Sequence, residues 1–185
     1  MFVFRFPRLT ATALALSVTL FTATSATAQG AAQGALDDPA IVGIFDAANG
    51  FDIATGTLAA KQGASAAVKE FGAMLARDHT GVRQMGRDLA KKLGVTPTPV
   101  AKDFALKVGN EEALKRLGML QGAAFDKAFL EHEVAYHTAV IDAVTKTLLP
   151  AIRNAELKAL VEKVAPAFVA HRDAAAGMLK KMSAN

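Results

Sequence analysis

The chain has 185 residues, a formal net charge of +4, 52% hydrophobic residues, and neither cysteine nor tryptophan. The length holds a single domain. The missing cysteine excludes disulfides, thiolate metal sites and lipid attachment through a thiol. The charges are mixed in sign, with no basic stripe interleaved with aromatics, so nucleic acid is excluded as a natural partner.

The first residues carry Arg5 and Arg8 and no acid up to Arg8. An apolar run follows from Leu9 to Phe21, and Ala26-Thr27-Ala28 supplies the small residues of a cleavage site. This three-part pattern predicts a secretory signal peptide over residues 1–28, cut after Ala28, and a periplasmic location. The run falls short of the roughly 18 apolar residues of a spanning helix, and none follows it. The mature chain is expected to contain no transmembrane span. Losing Arg5 and Arg8 takes the formal charge from +4 to +2.

Residues 29–38 are small and polar and read as a disordered lead-in to one domain over 39–182. Asp38 suits an N-cap and Pro39 the first helical position, opening a helix that runs to Gln62 and stops at Gly63. Ser65 caps a second helix, to Leu93, with Gly94 as its C-terminal glycine. Pro97 and Pro99 stiffen the connection that follows. Residues 102–107 and 111–120 read as short helical pieces around Gly109-Asn110. A third long helix spans about 123–149 and ends at Pro150. Asn154 caps a fourth, to Met182, with Pro166 inside it, where a missing hydrogen bond should bend it. No segment alternates at period two for long enough to be a strand. The predicted fold is all-α: an antiparallel four-helix bundle with a longer crossover between the second and third helices.

Each long helix carries an apolar stripe with a mean step near 3.5 residues, the seam of a bundle. Interior Gly43, Gly56, Gly72 and Gly86 should permit close helix approach. One polar residue interrupts each stripe: Asp52, His79, His137 and His171. At 1.5 Å per residue they lie roughly 20–24 Å along their helices. Antiparallel helices of similar length would bring them to one level. Glu133 lies one turn from His137 on the same face. Asp78 points about 100° away from His79.

Polar groups on a core stripe are costly without partners, which leaves two readings. The layer is a hydrogen-bond network that specifies register. Alternatively, three imidazoles and the carboxylates of Asp52 and Glu133 hold a divalent transition metal: Fe, Mn, Zn or Cu. The doubled Glu-x-x-His arrangement of di-iron bundles is absent from the chain. His132 lies off the stripe and reads as a surface residue. Asp126 reads as a complement to its own helix dipole. Tyr136 belongs to the layer or to its rim.

These residues resemble a bacterial exported family catalogued as domain of unknown function 4142. The resemblance runs from Phe51-Asp52 to Ala59 and from Val68 to Asp78-His79-Thr80. It continues through Gly122-Ala123-Ala124-Phe125-Asp126, Phe129 with His137, and Pro166 with His171. It covers about residues 39–182. It implies a ferritin-like bundle, exported to the periplasm or held near the outer membrane, and brings no established activity. The family pattern usually has Glu at Asp52 and Tyr at Phe129. Its three motif histidines match His79, His137 and His171. The expectation is a non-enzymatic envelope module, stress-associated by family analogy, whose layer is structural or binds a metal. The alternatives are a metal-dependent redox or metal-handling protein, and an interaction protein that docks to an envelope partner or to a second copy of itself.

Overall fold

The computed structural model describes residues 36–184, and all of its regular structure is helical. The expected signal peptide and most of the expected lead-in lie outside the described residues. The helices are α1 (Asp38–Gln62), α2 (Ala66–Leu93), α3 (Ala105–Gly118), α4 (Gly122–Ala143), α5 (Leu149–Ala151) and α6 (Ala155–Ser183). A π-helical turn at Val144–Leu148 joins α4 to α5. Among the described residues no helix is long and apolar enough to cross a membrane.

Most punctuation falls where the residues predict it. The Ser65 hydroxyl accepts from the Val68 N–H, the Asn154 side chain accepts from Glu156 and Leu157, and Gly94 adopts a left-handed φ of 65°. The first cap is displaced by one residue. Asp37, not Asp38, caps α1 through the Ala40 N–H. Asp38 instead accepts from the Arg153 and Asn154 N–H groups, both at 2.9 Å, and ties the start of α1 to the start of α6.

Three further expectations are corrected. The crossover holds one helix rather than two pieces. Asn110 is buried in α3 at the point where a break was expected, because α3 packs a face containing Asn110 and Leu117 inward. Asp126 serves α2, not its own helix. Its buried carboxylate accepts from the Ala64 and Ser65 N–H groups at 2.7 and 2.9 Å. The third long helix does not stop at Pro150; it widens into the π-helical turn and continues to Ala151. The Pro150 ring would crowd the carbonyl four residues back in a regular helix, and the wider turn relieves that crowding.

α1 and α2 form one antiparallel hairpin and α4 with α6 the other. Within the first, Gly56 and Gly72 face each other. A Cβ on Gly72 would lie 2.7 Å from both Ala59 Cβ and the Gly56 carbonyl oxygen. The two backbones therefore meet without side chains between them. Tyr136 joins the hairpins by donating its hydroxyl to the Ala48 carbonyl at 2.9 Å. The apolar interior falls into two clusters. One holds Phe45, Val140, Val161 and Phe168. The other holds Phe71, Leu75, Phe129 and Leu130. Between them, at mid-length of all four long helices, lies the polar layer.

Candidate metal centre

Asp52 of α1, His79 of α2, Glu133 and His137 of α4, and His171 of α6 are all buried, none more than 5% exposed. The three imidazoles form a nearly equilateral triangle. Ring centroids lie 5.6 Å apart for His79 and His137, 5.1 Å for His79 and His171, and 5.4 Å for His137 and His171. Glu133, expected one turn off, comes into the layer, with Oε2 3.4 Å from His137 Nδ1. Asp52 Oδ1 lies 3.8 Å from His137 Nε2.

One nitrogen of each ring is held from behind. Asn49 donates its amide to the Phe45 carbonyl at 2.8 Å, which turns its oxygen toward His79 Nδ1, 2.9 Å away. An amide oxygen only accepts, so Nδ1 carries the proton and Nε2 keeps its lone pair. His137 Nδ1–H donates to the Glu133 main-chain carbonyl at 3.0 Å, which leaves Nε2 free. His171 reverses the roles: Nε2–H donates to Asp78 Oδ2 at 3.4 Å, which leaves Nδ1 free. Those three free nitrogens, His79 Nε2, His137 Nε2 and His171 Nδ1, are buried without a hydrogen-bond partner. Asp52 Oδ1 and both Glu133 carboxylate oxygens share that condition.

Two donor sets result, one from His79, His137 and His171 and one from Asp52, Glu133 and His137; the donor atoms of each lie within 4.8 Å of one another. Ligands bound at about 2.1 Å to one ion sit roughly 3–4 Å apart, so the donors need only close slightly. These buried groups could hold a metal.

The electrostatics agree with a site prepared for a cation. Burial, then the neighbouring His137 and His171, pushes the His79 pKa from 6.5 down to about 2. Burial and then His137 also lower His171, against the pull of Asp78. Both rings are thus neutral, as ligands must be. Burial, then the Glu133 carboxylate beside it, holds Asp52 well above the usual carboxylate range. Both causes favour the protonated form of this carboxyl.

Two residues contribute here that the apolar stripes themselves do not single out. Asn49 is buried on α1, three residues before Asp52 and on the same helical face. That spacing was the available signal, and a short polar side chain among alanines hid it. Asp78 does point away from His79, and the direction brings it to His171 on the facing helix. His132 is not a surface histidine. It is half-buried, its ring centroid 5.7 Å from that of Tyr136, and burial lowers its pKa.

Residues 23–178 match the family described as Domain of unknown function (DUF4142). The chain belongs to that family. No curated protein and no solved structure matches it. For this DUF4142 protein the site geometry is therefore the main guide to function. His79, His137 and His171 make up the imidazole triangle, and Asp52 and Glu133 supply the carboxylates beside it.

Proposed function

We propose that this DUF4142 protein is an exported metal-binding module. It is a ferritin-like four-helix bundle whose interior layer holds one divalent first-row transition ion. His79 Nε2, His137 Nε2 and His171 Nδ1 would be the nitrogen ligands, and Asp52 and Glu133 the carboxylates. The observation that carries this reading is the three buried lone pairs, each aimed away from a hydrogen bond that fixes its ring. A hydrogen-bond network of the same residues would use those inward atoms. Here they have no protein partner, and an unsatisfied buried polar group costs about 1–3 kcal/mol.

Charge supports the same reading. Two buried carboxylates, once ionised, place two negative charges beside the neutral rings of His79 and His171, and one divalent ion balances both. Three imidazoles with carboxylate oxygens suit Fe, Mn, Zn or Cu. Such an ion supplies Lewis acidity, or a one-electron couple if it is redox-active. The protein's part is to orient. Asn49, the Glu133 carbonyl and Asp78 present the correct tautomer of each ring, as outer-shell partners of metal-bound histidines do. The apolar clusters on both sides keep water from the layer.

The test is elemental analysis of protein recovered from the periplasm without chelators. About one ion per chain is expected, and His137→Ala should lose it while circular dichroism stays helical. If native protein is metal-free and also fails to take up Fe, Mn, Zn or Cu on reconstitution, the reading fails. N-terminal sequencing of the same material bears on export, since the signal pattern places the mature start at Gln29.

A further inference from the structure

Beside the histidine layer, α4 and α6 part to leave a groove of about 450 Å³. Small-molecule sites span about 300–1,000 Å³. Both walls carry a backbone irregularity, the π-helical turn on one side and Pro166 on the other. Isolated π turns within helices are frequent at functional sites.

The polar side chains of the lining are Thr145 and Glu162, and none of the lining residues is basic. The Thr145 hydroxyl is already donated to the Ile141 carbonyl at 2.8 Å. Pro166 has no N–H to give the Glu162 carbonyl, four residues before it. That carbonyl lacks its usual helical donor, and the Glu162 carboxylate in the lining only accepts. The rest of the lining is apolar. An occupant that matches it is apolar in body and carries a cationic donor; an acid would meet Glu162 as a like charge.

Phe168 also lines the groove. Its buried ring stacks on His79 with centroids 5.6 Å apart and planes 8° from parallel, and lies 6.5 Å from His137. One aromatic side chain is thus shared between the groove and the imidazole triangle.

We propose that this groove binds a small apolar molecule bearing an amine, seated against Phe168 next to the histidine layer. That the molecule then lies beside a metal rests on the reading above. Binding itself does not, so metal-free protein is the proper test. The probes are benzylamine and benzoate, matched in size and opposite in charge, followed by ring-current shifts in the NMR spectrum. A second groove of about 470 Å³, lined by Met74 and Met178 and by the opposed charges of Glu70 and Lys181, is the internal control.

Saturable benzylamine shifts should appear at Val144, Phe168 and Val169 and be absent at Met74 and Met178. Benzylamine should be preferred over benzoate by about tenfold or more. Glu162 and Thr145 are exposed, so variants there should leave the fold intact. Glu162→Gln should remove most of the preference, and Thr145→Trp should weaken both probes by covering the groove. No saturable shift, equal binding in the methionine-lined groove, or a preference that survives Glu162→Gln would overturn the proposal. A chain that binds benzylamine in the expected way but never takes up metal would refute the metal reading alone.

Discussion

At His79 one ring nitrogen is engaged and the other free, and Asn49 decides which. Its amide is locked by the Phe45 carbonyl, so the oxygen must face the ring. Asn49→Ala should release the ring to either tautomer and leave the His79 N–H without an acceptor. Metal affinity should fall about 10–100-fold, and the metal-free protein should lose roughly 1–3 kcal/mol for the stranded N–H. Competition against a chromophoric chelator reads the first effect and urea unfolding the second. Unchanged affinity would mean the lone pair of Nε2 is not a ligand. Asp78→Ala should act in the same direction and less strongly. Its bond to His171 is long, 3.4 Å, and its carboxylate is 38% exposed, so water can replace it. The three histidines and Asp52 were legible because each breaks an apolar stripe. Asn49 and Asp78 were not, since their roles depend on which side chain of another helix they meet.

Among the elements, those set by local chemistry were readable and those set by distant contacts were not. Ser65, Gly94 and Asn154 act on their own helices and stand where the turn and cap rules place them. Asp38 and Asp126 look like residues of their own helices, yet each spends its carboxylate on the start of another. α3 runs through Gly109-Asn110 because tertiary burial of Asn110 and Leu117 overrides the local break. The interior glycines were legible as sites of close approach. At Gly72 that closeness should outweigh propensity. Alanine there gains up to about 1 kcal/mol in helix propensity. The new methyl, however, would sit 2.7 Å from the Gly56 carbonyl oxygen and from Ala59 Cβ. Neither atom is the end of a flexible side chain, so α1 and α2 must move apart, at a typical overpacking cost of about 1–3 kcal/mol. Gly72→Ala should therefore lower the thermal midpoint, whereas Gly81→Ala on the same helix, where a Cβ meets nothing within 4 Å, should raise it. A stabilising Gly72→Ala would refute the close packing of this hairpin.

For the whole molecule, the layer should couple stability to protons and, on the proposed reading, to metal, with opposite signs for its two kinds of residue. His79, His132 and His171 are lowered from 6.5 in the fold. Below that value the unfolded chain binds protons that the folded chain refuses. Stability is lost as the pH falls through about 6.5, by up to about 1.4 kcal/mol per pH unit for each such group. Asp52 is raised above its ordinary 3.8. In the metal-free protein its contribution is whole at low pH and is lost as the pH climbs from there toward its folded value. A bound divalent ion should cancel this second loss by stabilising the ionised carboxylates, while protons on the imidazoles compete with it in acid. The gain from metal should thus be largest at pH 7–8 and fade toward pH 5. With free metal at a hundred times its dissociation constant, linkage gives about 2.7 kcal/mol. For a chain of this size that is a rise of roughly 5–10 °C in the thermal midpoint. Paired melts of chelated and reconstituted protein across pH 5–8 measure it. Curves that coincide at pH 7.5 would leave the five buried residues as a structural layer. A gain that grew toward pH 5 would show that the ion is held by groups other than these histidines.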